Sequence, residues 1–181
     1  METSALSLEG LLLVHPKVFR DDRGWFFECY NRPNYQLVGI ADTFVQDNHS
    51  RSDKGTLRGL HYQSTPGQAK LVRVAAGRIL DVAVDIRPSS ATFGKWTSVE
   101  LSAENHHQLY IPIGFAHGFF VLSDEAEVLY KVSAVYDADH ECTLAWDDPD
   151  IAVAWPNANP NLSARDQRGE SFARYRQRVG L

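Results

Sequence analysis

The pattern of this chain predicts an all-β fold with a few short helices. Three observations carry the prediction. Short segments of alternating polarity recur from Trp25 to Val135, compact turn chemistry separates them, and helical periodicity is sparse. The clearest strand is Leu80–Arg87, where large apolar residues alternate with small or charged ones, as a half-buried strand requires. In chain order, Trp25–Tyr30, Val45–Ser50, Leu57–Gln63, Lys70–Ala75, Lys95–Leu101, Gln108–Ile111, His117–Leu122 and Glu127–Val135 read the same way. Turn residues punctuate them at Ser64-Thr65-Pro66-Gly67, Ala76-Gly77, Arg87-Pro88-Ser89-Ser90 and Ser123-Asp124. Asn31–Val38 is predicted as a short helix, with Pro33 in its first turn and Gly39 just past its end. A second helix is expected in the tail from Ser163, interrupted by Gly169. Many short strands joined by short turns point to an antiparallel sandwich or barrel.

The chain has 181 residues, enough for one domain spanning 1–181 with a core of its own. No apolar run approaches the length of a membrane span. The stretch Leu11-Leu12-Leu13-Val14 is too short for a signal-peptide core and has no basic segment before it. Cys29 and Cys142 are too few for a disulfide framework, so a reducing cytoplasm is the expected setting and both are expected as small buried hydrophobes. A formal net charge of −5 argues against nucleic acid as a partner. The arginine-rich stretch Arg165–Arg178 reads as a solvated helix face. An anionic small molecule remains compatible, because a few arginines in one cavity hold phosphates whatever the total charge.

Polar groups accumulate where barrel strands should be apolar. Gln46, Asn48 and Ser50 share one face of a strand, and Arg58, His61 and Lys70 follow. Burying such groups costs free energy unless each is satisfied, so a polar ligand cavity accounts for them better than a structural barrel does. Strict alternation places Arg58 and His61 on opposite faces; both enter one cavity only if the strand starts late or bulges, and Gly59 is where a bulge could sit.

The segment Pro112-Ile113-Gly114-Phe115-Ala116-His117 has the P-x-G-x-x-H form of the second motif of the cupin superfamily, which it resembles. Metal-binding cupins place an H-x-H pair on an earlier strand. Here that place reads His61-Tyr62-Gln63, leaving too few ligands for a transition metal, so no metal site is expected.

Seven further segments extend the resemblance. They are Phe19–Glu28, Gln46-Asp47-Asn48, Leu57–Gln63, Lys70-Leu71-Val72, Asp81–Arg87, Gly114–Phe119 and Tyr130-Lys131. In this order, and with Asp166 beyond them, they are similar to the dTDP-4-dehydrorhamnose 3,5-epimerase family. The resemblance implies a cupin jelly-roll barrel, a homodimer, no cofactor, and a 4-keto-6-deoxy sugar linked to dTDP as substrate. It also implies a role in rhamnose-type carbohydrate biosynthesis. A ketone at C4 acidifies the C–H bonds at C3 and C5, so epimerisation needs a base on one face, an acid on the other and a positive group beside the developing oxyanion. By resemblance His61 is the base, Asp166 orients it, Tyr130 is the acid and Lys70 sits by the enolate oxygen. Arg23, Glu28, Gln46, Asn48, Arg58, His117 and Glu141 match substrate-binding positions, with Arg23 and Glu28 reaching a neighbouring subunit's site in the family. Tyr136 matches a stacking aromatic. At Arg165 the family commonly has lysine, so the charge is kept while the donor geometry changes.

Plainer roles stand beside these. Ser163-x-x-Asp166 also reads as a capping box, Tyr130 as a half-buried strand aromatic, Lys70 as a strand-edge residue and His117 as a barrel-corner residue. His15, His49, His106, His107 and His140 read as surface or loop residues, and Asp81 and Asp85 as structural partners of nearby arginines. Two other functions compete with the double epimerase. One is a mono-epimerase acting at C3 only or C5 only; the other is an inactive module that merely binds a sugar nucleotide.

Overall fold

The computed structural model describes residues 1–181 and consists of two antiparallel sheets, a projecting hairpin and two short α-helices. In chain order the strands are β1 (Glu2–Ala5), β2 (Leu12–His15), β3 (Phe19–Asp21), β4 (Gly24–Phe26), β5 (Gln46–Asp53), β6 (Leu57–Gln63) and β7 (Lys70–Ala76). They continue with β8 (Arg78–Asp85), β9 (Trp96–Ser102), β10 (Gln108–Ile111), β11 (Phe115–Val121), β12 (Glu125–Val132) and β13 (Glu141–Thr143). One sheet has the order β1-β2-β10-β7-β12-β5 and the other β13-β6-β11-β8-β9; β3 and β4 form the separate hairpin. The non-sequential neighbours are those of a jelly roll, with β7 and β12 of one sheet packed against β9 and β8 of the other.

Strand alternation decides what lies between the sheets. Along β7, Lys70, Val72 and Val74 share the inner face; along β11, Phe115, His117, Phe119 and Val121 do. The apolar members of these sets are buried together with Leu11, Ile79, Leu101, Leu109 and Val128, which closes the interior over most of its length. Opposite-parity residues face outward under the helices. Val82, Val84 and Ile86 meet Phe172 and Tyr175 of α2 (Phe172–Arg178), whose phenol donates to the Ile86 carbonyl at 2.6 Å. Burying Phe172 against this face contributes on the order of 2 kcal/mol. Leu71 and Tyr110 meet Tyr35 of α1 (Arg32–Leu37) on the outer face of the other sheet.

Most predicted strands are present with small changes of boundary, and Leu57–Gln63 and Gln108–Ile111 coincide with β6 and β10. The predicted helix at 31–38 is α1, capped by Asn31, whose side chain accepts from the Asn34 amide. Four expectations need correction. Trp25–Tyr30 is not one strand: only Gly24–Phe26 pairs, in a hairpin whose residues are all exposed, because no sheet lies beside it. The tail is not one interrupted helix but a 3-10 turn at Asp166–Arg168, a bridge from Glu170 to Leu144, and then α2. Gly169 passes so close to the Leu144 backbone that a Cβ there would stand 2.5 Å from its carbonyl carbon, so the chain is tied to the barrel wall at this point. The arginines of this stretch are accordingly split between the 3-10 turn with its N-cap (Arg165, Arg168) and α2 (Arg174, Arg176, Arg178), and Arg178 is bound to Glu170 at 2.5 Å and to the Tyr62 hydroxyl. Finally, Cys29 and Cys142 are free and half-buried rather than core residues.

Candidate active site

A cavity of about 420 Å³ opens where the inner faces turn polar, and its walls come from both sheets. Gln46, Asn48 and Ser50 project into it from β5, Lys70 from β7 and Tyr130 from β12; Arg58, His61 and His117 face them from β6 and β11. The alternation predicted for residues 46, 48 and 50 holds, and Lys70 is the polar end of the row that continues into the apolar core as Val72 and Val74.

Arg58 and His61 enter the same cavity because β6 bulges. His117 stands opposite His61, but Phe119, two residues on, stands opposite Arg58, three residues back, so β6 carries one extra residue between them. That residue reverses the parity. Gly59 supplies the required backbone, with φ of 141° and so close an approach to β11 that a Cβ would lie 2.5 Å from the Gly118 Cα.

His61 lies 2.5 Å through Nε2 from Asp166 Oδ1, and the carboxylate is buried, with 3% of its side chain exposed. Ser163 Oγ donates to Asp166 Oδ2 at 2.8 Å and accepts from the Asp166 amide at 3.1 Å. Ser163 is not the N-cap of the 3-10 turn, which is Arg165 without a side-chain cap; it braces the Asp166 carboxylate that faces His61. Burial lowers the His61 pKa from the usual histidine range, against the opposing pull of Asp166. Burial would raise the Asp166 carboxyl, but its hydrogen bonds to His61 and Ser163 and the charges nearby outweigh that and hold it low. An Asp166 hydrogen bond at Nε2 leaves His61 Nδ1 as the nitrogen able to take a proton.

Lys70 is buried and donates to the His61 carbonyl at 3.3 Å. Desolvation lowers its pKa to about 8, with Glu141 and Asp81 supporting the charged form. Tyr130 is partly buried, and burial, reinforced by the negative charge of Glu141, raises its phenol above the ordinary range. Tyr136 is exposed at the rim, where its amide donates to Gln46 Oε1 at 2.9 Å and its phenol meets Glu141. Glu141 also pairs with Arg165, whose second terminal nitrogen lies 2.8 Å from His61 Nε2. Arg58 is braced by Ser52 Oγ at 2.9 Å and by the Arg51 carbonyl, and holds its guanidinium on the cavity wall.

Asp81 was expected to pair with an arginine, and His117 to bind substrate, with a barrel-corner role beside that. His117 Nε2 meets both Asp81 carboxylate oxygens, at 2.9 and 3.0 Å, with Asp81 fully buried behind the cavity wall. The reason is sheet register: His117 pairs with Ala83, so Asp81 is its diagonal neighbour on the inner face. Asp85 does take an arginine, Arg87, together with Ser90 and Thr92. Arg23 and Glu28 are not brought to the cavity. Arg23 is exposed and paired with Asp21 at 2.6 Å, and Glu28 accepts from Asn31 and Asn34 at the start of α1. Among the histidines set aside as surface residues, His106 is buried against Trp25 and Phe27, and His15 meets His107 at 3.1 Å. Ser163 as a brace for Asp166 was visible in the sequence only as a cap, and Asp81 as the partner of His117 had no local signal.

Residues 5–174 match the family profile described as dTDP-4-dehydrorhamnose 3,5-epimerase. The enzyme of that name from Pseudomonas aeruginosa is 49% identical over 175 residues, which is 96% of this chain and 97% of the relative. The crystal structure of dTDP-6-deoxy-D-glucose-3,5-epimerase from Legionella pneumophila Philadelphia 1, in complex with dTDP-4-keto-L-rhamnose, superposes with a TM-score of 0.91 at 46% identity, covering 94% of this chain and 92% of that one. ChmJ, a 3′-monoepimerase from Streptomyces bikiniensis in complex with dTDP-quinovose, superposes with a TM-score of 0.89 at 36% identity over 97% of this chain and 90% of that one. The chain belongs to the dTDP-4-dehydrorhamnose 3,5-epimerase family.

Proposed function

We propose that this protein epimerises a dTDP-linked 4-keto-6-deoxy sugar at C3 and C5, giving dTDP-4-dehydro-L-rhamnose for rhamnose-type carbohydrate biosynthesis. The observation that carries this is the meeting of His61–Asp166, Lys70 and Tyr130 in one cavity with an arginine on its wall. The C4 ketone stabilises a carbanion at either neighbouring carbon as an enolate. His61 takes the proton, and Asp166 offsets the charge the imidazole gains. The Lys70 ammonium, buried and so strongly felt, stabilises the developing oxyanion. Tyr130 returns a proton to the opposite face, which inverts the carbon. The phenol that has given a proton and the imidazole that has gained one must then reset before the second carbon reacts, through solvent entering the cavity.

Arg58 suits the diphosphate, since a guanidinium fork matches phosphate oxygens, and Gln46, Asn48, His117, Glu141, Arg165 and the rim aromatic Tyr136 complete the substrate contacts. Arg23 and Glu28 serve the neighbouring subunit of a homodimer. The hairpin that carries Arg23 supports that reading: Phe19, Trp25 and Phe26 are 54%, 54% and 68% exposed, an apolar surface suited to a second copy of the chain. The related monoepimerase from Streptomyces bikiniensis keeps the second reading, inversion at one carbon only, in play. Turnover of the 4-keto sugar nucleotide in heavy water separates them. Deuterium is expected at both C3 and C5; label at one carbon selects the mono-epimerase, and no label with intact binding selects a binding module.

A further inference from the structure

Arg165 occupies a position that the reacting form of the base does not allow. Its Nη2 lies 2.8 Å from His61 Nε2, the same nitrogen that stands 2.5 Å from Asp166 Oδ1. An imidazole nitrogen carries at most one hydrogen. When Nε2 holds it, the nitrogen donates to Asp166 and presents no lone pair to a guanidinium, which is itself a donor only. When Nε2 is bare, it accepts from Arg165, but it then faces the Asp166 carboxylate lone pair to lone pair, and the free hydrogen sits on Nδ1, where a substrate proton would have to go. Protonating both nitrogens restores the first conflict. Asp166 and Arg165 are thus rival partners for one atom.

The two rivals differ in freedom. Asp166 is buried and pinned by Ser163, whereas the Arg165 side chain is 46% exposed and held at its other end only by Glu141. Arg165 and Glu141 also stand in the wall between the cavity and an outer depression of about 530 Å³ lined by Arg168 and Arg174, so the guanidinium has an anion-attracting space on either side. A diphosphate offers Arg165 a bidentate, doubly charged partner that a neutral imidazole nitrogen cannot match.

We propose that Arg165 is a substrate-responsive positioning residue: it covers His61 Nε2 in the free enzyme and leaves it for the diphosphate, which delivers His61 to Asp166 with Nδ1 bare and ready to accept a proton. This deepens the epimerase reading and rests on it for the identity of the anion. It couples nucleotide occupancy to base activation, so that a 4-keto sugar without a diphosphate meets a base in the wrong tautomer.

The test is nitrogen NMR of protein labelled with ¹⁵N-histidine, with inorganic diphosphate as the probe and its binding measured separately by calorimetry. In the free protein His61 should show a bare Nε2; saturating diphosphate should move the tautomer ratio toward Nε2–H by about tenfold, the order of one charge-assisted hydrogen bond. Arg165→Leu should show Nε2–H with and without diphosphate, and Arg165→Lys should restore part of the response. A free protein already in the Nε2–H form, an Arg165→Leu spectrum matching the parent, or no diphosphate binding overturns the proposal. Because the readout is a tautomer and not turnover, failure here leaves the epimerase assignment standing, and absence of deuterium exchange in the intact enzyme would reject that assignment whatever the tautomer does.

Discussion

The groups proposed for proton transfer and those proposed for nucleotide recognition are held differently. At the proposed sugar end, the base, its carboxylate, the ammonium and the phenol are carried by three strands, β6, β7 and β12, and a tied-down tail, and His61, Lys70 and Asp166 are each held by another group of the same chain. The proposed nucleotide contacts are looser: Tyr136 is exposed at the cavity rim, and Arg23 and Glu28 lie outside the cavity, on and just after the projecting hairpin, with local partners only. The difference separates two demands. Proton transfer requires distances fixed to a fraction of an ångström, so its groups belong on a rigid barrel. Nucleotide recognition tolerates contacts assembled later, from mobile side chains or a second subunit.

That contrast predicts a graded set of effects. Asp166→Asn keeps the shape but removes the charge that orients and balances His61; kcat should fall by about 10³-fold with KM nearly unchanged, measured by steady-state kinetics. A large rise in KM instead would move Asp166 from the chemistry to binding. Lys70→Gln should lower kcat by about 10²-fold through loss of oxyanion stabilisation. Lys70 also shapes the pH profile. His61, with its lowered pKa, stays neutral below the ordinary histidine value of about 6.5, so the acid limb of kcat/KM should lie below that value. Lys70 loses its charge as pH rises through about 8, and activity should fall there, while Tyr130, its phenol raised, remains protonated. Lys70→Gln should abolish that alkaline limb; its persistence would assign it to another group. The smallest effect belongs to the looser contacts: Arg23→Ala should raise KM by about tenfold with kcat retained, and a loss of kcat would place the hairpin in the chemistry.

The sequence made one wall of the site plain and hid the other. Gln46, Asn48 and Ser50 were readable because period-two alternation is local and the odd polar face stands out against a barrel's apolar interior. Arg58 and His61 were readable as a contradiction, and Gly59 marked the place where one extra residue resolves it. The Asp81–His117 pair was hidden because it depends on the register of two strands 36 positions apart, which no local pattern encodes. The tail misled for a similar reason: a helical pattern with one glycine reads as an interrupted helix, whereas the close approach of Gly169 to Leu144 ties it to the wall and breaks it in two. Locations of Arg23 and Glu28 relative to a site follow from the family resemblance alone, since a single chain gives each a local partner.

The central claim is that His61 and Tyr130 act on opposite faces of one enolate. It is tested most directly by incubating two variants with the 4-keto sugar nucleotide in heavy water and reading both label and configuration by NMR. Tyr130→Phe should still remove protons, so deuterium should appear in recovered sugar of unchanged configuration, while His61→Asn should bind the nucleotide and incorporate none. Inversion at a normal rate in Tyr130→Phe, or label entering normally in His61→Asn, would contradict the account.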